Sequence, residues 1–86
     1  FGPQRRIWEA VFDDKLMRRI VAVVLAQPSG GRKAFRNRLL APLLKALDRY
    51  RPLEAEELAE LGRDVTRNLE AAEAAARPNS EHQAAA

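Results

Sequence analysis

Apolar residues recur every three or four positions along most of the chain, which is the spacing of one face of an α-helix. In the first segment this spacing is kept by five large side chains: Trp8, Phe12, Leu16, Ile20 and Val23. The pattern is interrupted at Asp13 and Asp14, and either aspartate is a suitable N-cap for a new helix. We therefore predict a helix over residues 4–26 with a break at 13–14.

Residues 20–25 allow a second interpretation, because most of them are β-branched valine or isoleucine, which favour strands. Apolar residues also lie off the helical stripe at Met17, Val21 and Val24, so this piece is expected to be buried on several sides. Yet no other run is suitable as a partner strand, and a lone strand leaves its backbone groups without hydrogen bonds. We favour a helix and keep the strand as the alternative.

Turn-forming residues at 28–31 separate this segment from a second helix, predicted over residues 32–50. The second helix has a wide apolar arc and contains Pro42, whose ring and missing N–H predict a kink or a restart. Pro52 ends it and is suited to the first turn of a third helix over residues 53–77.

These elements predict an all-α fold with one domain at residues 1–77 and a flexible tail at 78–86. The domain is expected to be a small three-helix bundle of up to four pieces, or a helical hairpin plus a long third helix. The third helix has a narrow apolar stripe and is expected to be the less well covered one.

The apolar arcs call for more neighbours than three helices supply, so we expect a second copy or a partner protein to complete the bundle. The leading hypothesis is a non-catalytic protein–protein interaction module: an accessory, adaptor or chaperone-like subunit, or a homodimer. The predicted partner interface is formed by Trp8, Phe12, Leu40, Leu44, Leu58, Leu61, Val65 and Leu69.

Charge divides the chain into two unlike parts. Residues 1–52 contain 12 Lys or Arg against 4 acids, a net charge of +8, and residues 53–86 have a net charge of −5. The alternative function is therefore binding to a DNA or RNA backbone. The basic patch for this role lies on the second helix and consists of Arg32, Lys33, Arg36, Arg38, Lys45 and Arg49. The competing explanation for these cations is that they form a solvated face, or that they pack against the acidic third helix.

The glycine-containing turn carries two loose resemblances. The stretch "RRIVAVVLAQPSGGRKAF" resembles the first strand, loop and helix of the diacylglycerol and sphingosine kinase superfamily, which would imply a nucleotide site. The stretch "QPSGGRKAFRNRLLAPLL" resembles the last helix of the theta subunit of bacterial DNA polymerase III, which would imply a polymerase accessory role. Each covers under a quarter of the chain, and no GxxxxGK[ST] loop is present. We favour a plain turn between helices.

The composition offers few of the residue types that enzymes use for catalysis. There is no cysteine, and the one histidine, His82, falls in the predicted tail. We therefore expect no catalytic residues, no metal site, no cofactor and no small-molecule substrate. The longest apolar run is far shorter than the roughly 20 residues of a membrane span. The compartment is left open, with the cytoplasm as the default.

Overall fold

The computed structural model describes residues 2–77 and contains five α-helices and one short 3₁₀ turn. These are α1 (Gly2–Val11), α2 (Asp14–Leu25), the 3₁₀ turn (Ser29–Gly31), α3 (Arg32–Leu39), α4 (Ala41–Arg49) and α5 (Ala55–Ala76). The all-α prediction is confirmed, and no strand occurs within these residues. Residues 20–25 lie in α2, so the strand alternative is wrong. The tail predicted at 78–86 lies outside the described residues.

The first segment is divided at Phe12 and Asp13. Of the two candidate caps, Asp13 is the one that acts. Its backbone is extended and its Oδ1 accepts a hydrogen bond from the backbone N–H of Leu16 at 2.7 Å. This bond satisfies one of the free donors in the first turn of α2, so a new helix starts there.

The second segment is broken two residues before Pro42, at Leu40, where α3 ends and α4 begins. A proline inside a helix clashes with the carbonyl four residues earlier, here that of Arg38, and it donates no hydrogen bond. By breaking at Leu40 the chain puts Pro42 in the first turn of α4, where a missing N–H costs nothing.

The helix predicted as the third is α5. It starts at Ala55, so Pro52 lies in the linker before it and not in its first turn. The start is set by a capping box: the side chain of Glu54 accepts from the backbone of Glu57, and the side chain of Glu57 accepts from the backbone N–H of Glu54. The preceding helix, α4, is followed by the cap residue Tyr50, which has a left-handed backbone with φ of 45°.

The core is organised around α5, which packs against α1, α2, α3 and α4. Leu61, Val65 and Leu69 of α5 are buried, the last two completely. The prediction that this helix is the less well covered one is wrong. Its narrow stripe is the centre of the fold because all four shorter helices pack against this one helix. The buried residues are Ile7, Val11, Ile20, Val23, Leu39, Leu40, Leu43, Leu61, Val65 and Leu69.

Two polar contacts tie the outer helices to α5. Arg19 of α2 makes a two-pronged ion pair with Glu73, with Nε donating to Oε2 at 2.9 Å. Asn68 donates from Nδ2 to the backbone carbonyl of Leu39, next to the break between α3 and α4, at 3.3 Å. Paired guanidinium–carboxylate bonds fix orientation as well as distance, so the first contact positions α2 along α5.

Candidate docking surface on α2

The predicted interface residues are divided between the core and the surface. Leu40, Leu61, Val65 and Leu69 are buried within the single chain, so none of them is open to a partner. Trp8, Phe12 and Leu58 are partly buried and pack against the core. Trp8 and Phe12 also stack on each other, with ring centroids 5.1 Å apart. Of the eight residues, only Leu44 is exposed, at 39%.

The exposed apolar surface lies instead on the outer side of α2. Met17, Val21 and Leu25 are 39%, 47% and 59% exposed, and they account for three of the five large hydrophobic side chains exposed among the described residues. They follow one another at intervals of four, so they form one continuous line along three turns. We call these three residues the α2 stripe.

Sequence reasoning placed Met17 and Val21 off the core-facing stripe but interpreted that position as burial by a further neighbour. In the structure α2 packs against α3 and α5, and its core-facing residues Ile20 and Val23 are buried. The opposite side carries the half-exposed Met17, Val21 and Leu25. The useful signal was the i, i+4, i+8 spacing that Leu25 completes, because it marks a second apolar face and not a wider first one.

The segment that contains the α2 stripe and the two helices after it is rich in cations. Residues 15–47 include eight Lys or Arg and no Asp or Glu, a feature that sequence analysis missed. Arg18 and the carboxylate of Asp14 line the same shallow surface as the stripe, and Lys15 lines the neighbouring groove toward α5. Among the described residues, Arg19 is the one member of these eight cations that forms an ion pair.

All members of the predicted basic patch are exposed, but the break at Leu40 separates them into two groups. Four lie on α3, where Arg38 also stacks over the ring of Phe35, 5.6 Å from its centroid. The other two, Lys45 and Arg49, lie on α4. The patch was predicted to lie on one helix, whereas the structure divides it between two.

The two groups of cations have different electrostatic surroundings. Lys45 and Arg49 line a groove between α4 and α5 that also contains the carboxylates of Glu57, Glu60 and Asp64.

Within this groove the pKa of Glu57 lies below its usual value, chiefly because Arg51 donates hydrogen bonds to the carboxylate. The nearby charge of Arg49 lowers that pKa further. Acids of the same chain therefore face the α4 group, whereas none of the ion pairs of the described residues involves the α3 group.

A larger open groove, of about 670 Å³, runs between the junction of α1 with α2 and the middle of α5. On α5 it is lined by small residues that include Ala59 and Gly62. A Cβ added at Gly62 would meet nothing within 4 Å. Two of the cations along it, Arg19 and Arg67, are already paired with Glu73 and Asp64. Lys15 and Arg63 also line this groove and form none of the ion pairs of the described residues.

Within residues 2–77 no group of three or more potential ligand side chains could hold a metal ion. The turn with the resemblance to a nucleotide loop is a single 3₁₀ turn between two helices, and the kinase resemblance would require a strand where α2 lies. Among the helices of residues 2–77, none combines the length and the apolar character that a membrane span requires.

Comparison with known proteins adds no family: no family model, no curated protein and no solved structure matches this chain.

Proposed function

We propose that this protein is a non-catalytic interaction module that binds an amphipathic helix of another protein along the α2 stripe. The observation that carries the proposal is the line of three half-exposed apolar side chains on a helix whose opposite side is already committed to the core. Apolar anchors repeated at helical spacing are the usual feature of helix recognition, because a partner helix presents its own apolar residues at the same intervals.

The rest of the fold supports this assignment by holding α2 in place. Asp13 caps its first turn, Ile20 and Val23 anchor it in the core, and Arg19 joins it to α5. Because these three contacts already fix α2, the helix loses little conformational freedom when a partner binds. This favours a high affinity. In the unbound monomer the exposed apolar area of the α2 stripe is unfavourable, by about 25 cal/mol for each Å² in contact with water.

The test is a titration of the ¹⁵N-labelled chain with a synthetic helical peptide that has leucines at i, i+3, i+4 and i+7 and uncharged glutamines elsewhere. We expect chemical-shift changes to concentrate on α2. Met17→Ser should weaken binding at least tenfold, because it removes one anchor. Leu44→Ser is the matched control, since Leu44 is exposed to the same 39% but lies on α4, and it should leave binding unchanged. An equal loss in both variants, or no binding at millimolar peptide, would contradict the proposal.

A second candidate function is binding to a nucleic-acid backbone through α3. It is favoured by the four exposed cations of that helix, Arg32, Lys33, Arg36 and Arg38, which form none of the ion pairs of the described residues. Four phosphate contacts predict a slope of about −3.6 in a plot of log affinity against log salt, so a fourfold rise in salt should weaken binding about a hundredfold.

Fluorescence polarisation with a labelled duplex and a labelled single-stranded RNA, at 50 and 200 mM salt, measures this slope. The double variant Arg32→Glu/Lys33→Glu should abolish binding. The matched control, Lys45→Glu/Arg49→Glu, changes the same charge in the groove that already contains acids and should have a smaller effect. The absence of binding at 50 mM salt would remove this candidate.

A further inference from the structure

We infer that the helix bound by the α2 stripe is acidic: its apolar residues contact Met17, Val21 and Leu25, and carboxylates along its flank contact Arg18. This inference rests on the proposed function and specifies the chemistry of the partner.

The charges around the stripe carry the inference. Arg18 lies one residue after Met17 and three before Val21, so on a helix it borders the stripe directly. It lines the same shallow surface as the stripe, together with the carboxylate of Asp14, whereas Lys15 lines the neighbouring groove toward α5. Arg18 is exposed and forms none of the ion pairs of the described residues. The neighbouring helix α3 contributes four more exposed cations. Such a surface accelerates the approach of an acidic segment and penalises a basic one.

A second copy of this chain supplies carboxylates and large apolar groups on different surfaces. The acidic residues lie mainly on α5, where the large apolar residues Leu61, Val65 and Leu69 are buried in the core. The exposed uncharged side chains of α5 are alanines, at positions 55, 59, 71, 74, 75 and 76. An alanine buries too little area to match a methionine or a leucine, so the acidic face of α5 in a second copy is a poor partner for the stripe.

Other partners match this surface less completely. A nucleic-acid backbone would satisfy the cations but leave three apolar side chains in water. An anionic bilayer could accept both, but helices that lie in membrane interfaces commonly present aromatic residues there. Here Trp8 and Phe12 pack against the core, away from the stripe. An acidic amphipathic helix satisfies the apolar and the charged groups together.

Three fluorescent peptides with the same leucine face test the inference: their flanking positions are all glutamate, all glutamine or all lysine. Binding is measured by fluorescence anisotropy at 50 and 300 mM salt. We expect affinity to fall in that order, with at least a tenfold difference between the glutamate and lysine peptides at low salt. This difference should shrink at high salt because screening weakens exposed charge pairs.

Charge reversal in the protein gives the sharper test. Arg18→Glu should weaken the glutamate peptide and strengthen the lysine peptide. Lys45→Glu, which makes the same reversal on α4, should change neither by more than about twofold. Circular dichroism verifies that both variants keep their helices, and the opposite change expected for the two peptides separates a charge effect from a loss of folding.

Each alternative result has a defined meaning. Equal affinity for all three peptides overturns the inference but leaves the proposed function intact, whereas no binding of any peptide overturns both. Vesicles of phosphatidylglycerol that bind in a Val21-dependent manner, and from which the glutamate peptide cannot displace the protein, would identify a membrane partner and overturn the inference. A dimer that the glutamate peptide cannot dissociate would overturn it in favour of a second copy.

Discussion

Two lines of large apolar side chains run along helices of this protein, and they have opposite environments. On α5, Leu61, Val65 and Leu69 are covered by neighbouring helices, whereas on α2, Met17, Val21 and Leu25 are about half exposed. Both lines follow the same helical spacing. The comparison teaches that spacing indicates which residues share a face, but the number of neighbouring helices decides whether that face is core or surface.

The largest expected effect comes from truncating one leucine in each line. Leu69→Ala should lower the free energy of unfolding by about 3 kcal/mol, because a fully buried leucine loses its contacts and leaves a cavity. Leu25→Ala should lower it by about 0.5 kcal/mol or less, as is usual for surface positions. Urea unfolding followed by circular dichroism at 222 nm measures both values. Equal losses would mean that the α2 stripe is part of the core.

A smaller effect, of the opposite sign, is expected at Gly62 in the interior of α5. Glycine in a helix interior is less favourable than alanine by up to about 1 kcal/mol. Since a Cβ here would meet nothing within 4 Å, Gly62→Ala should raise the unfolding free energy by about 0.5 to 1 kcal/mol. The same urea titration measures it. A loss of stability would show that this side of α5 is as tightly covered as the side carrying Leu61.

The smallest effect concerns the ion pair that joins the two helices carrying these lines. The pKa of Glu73 lies below its usual value, mainly because Arg19 donates hydrogen bonds to the carboxylate, and Arg19 has a raised pKa for the same reason. A lowered carboxyl pKa stabilises the fold above the unfolded-state pKa of about 4.3, and this stabilisation is lost as the pH falls through the folded-state pKa.

The expected result is therefore a steeper loss of stability below about pH 4.5 in the parent chain than in Glu73→Gln. Thermal unfolding between pH 3 and pH 7 detects the difference. Glu60→Gln is the control, because Glu60 is an exposed α5 glutamate that forms none of the ion pairs of the described residues. Glu60→Gln should lose stability below about pH 4.5 as steeply as the parent chain does. If the two variants behave alike, the contact between Arg19 and Glu73 is not what positions α2.

Much of the fold could be predicted from local chemistry. The helical spacing predicted the helices, and the aspartates predicted the start of α2 to within one residue. Pro42 predicted a disruption, but its position depended on where the chain could remove the clash with Arg38, and this placed the break at Leu40. Local rules therefore located the elements closely and their ends less well.

The candidate surface was harder to predict, because burial depends on contacts between residues distant in sequence. The ion pair between Arg19 and Glu73 joins residues 54 positions apart, and no local pattern marks it. The apolar stripe of α5 was predicted to need a partner, because only two other helices were expected to cover it. The breaks at Asp13 and Leu40 turned these two into four pieces, which provided the missing cover.

The stacking of Trp8 on Phe12 has a practical consequence for all of these measurements. Trp8 is the one tryptophan in the chain, and it packs against the core on α1 while the proposed partner binds on α2. Its fluorescence emission should therefore change on denaturation and stay unchanged when a partner binds. A change in its emission wavelength on adding a partner would signal rearrangement of the core, so one optical probe already present in the chain separates simple docking from coupled refolding.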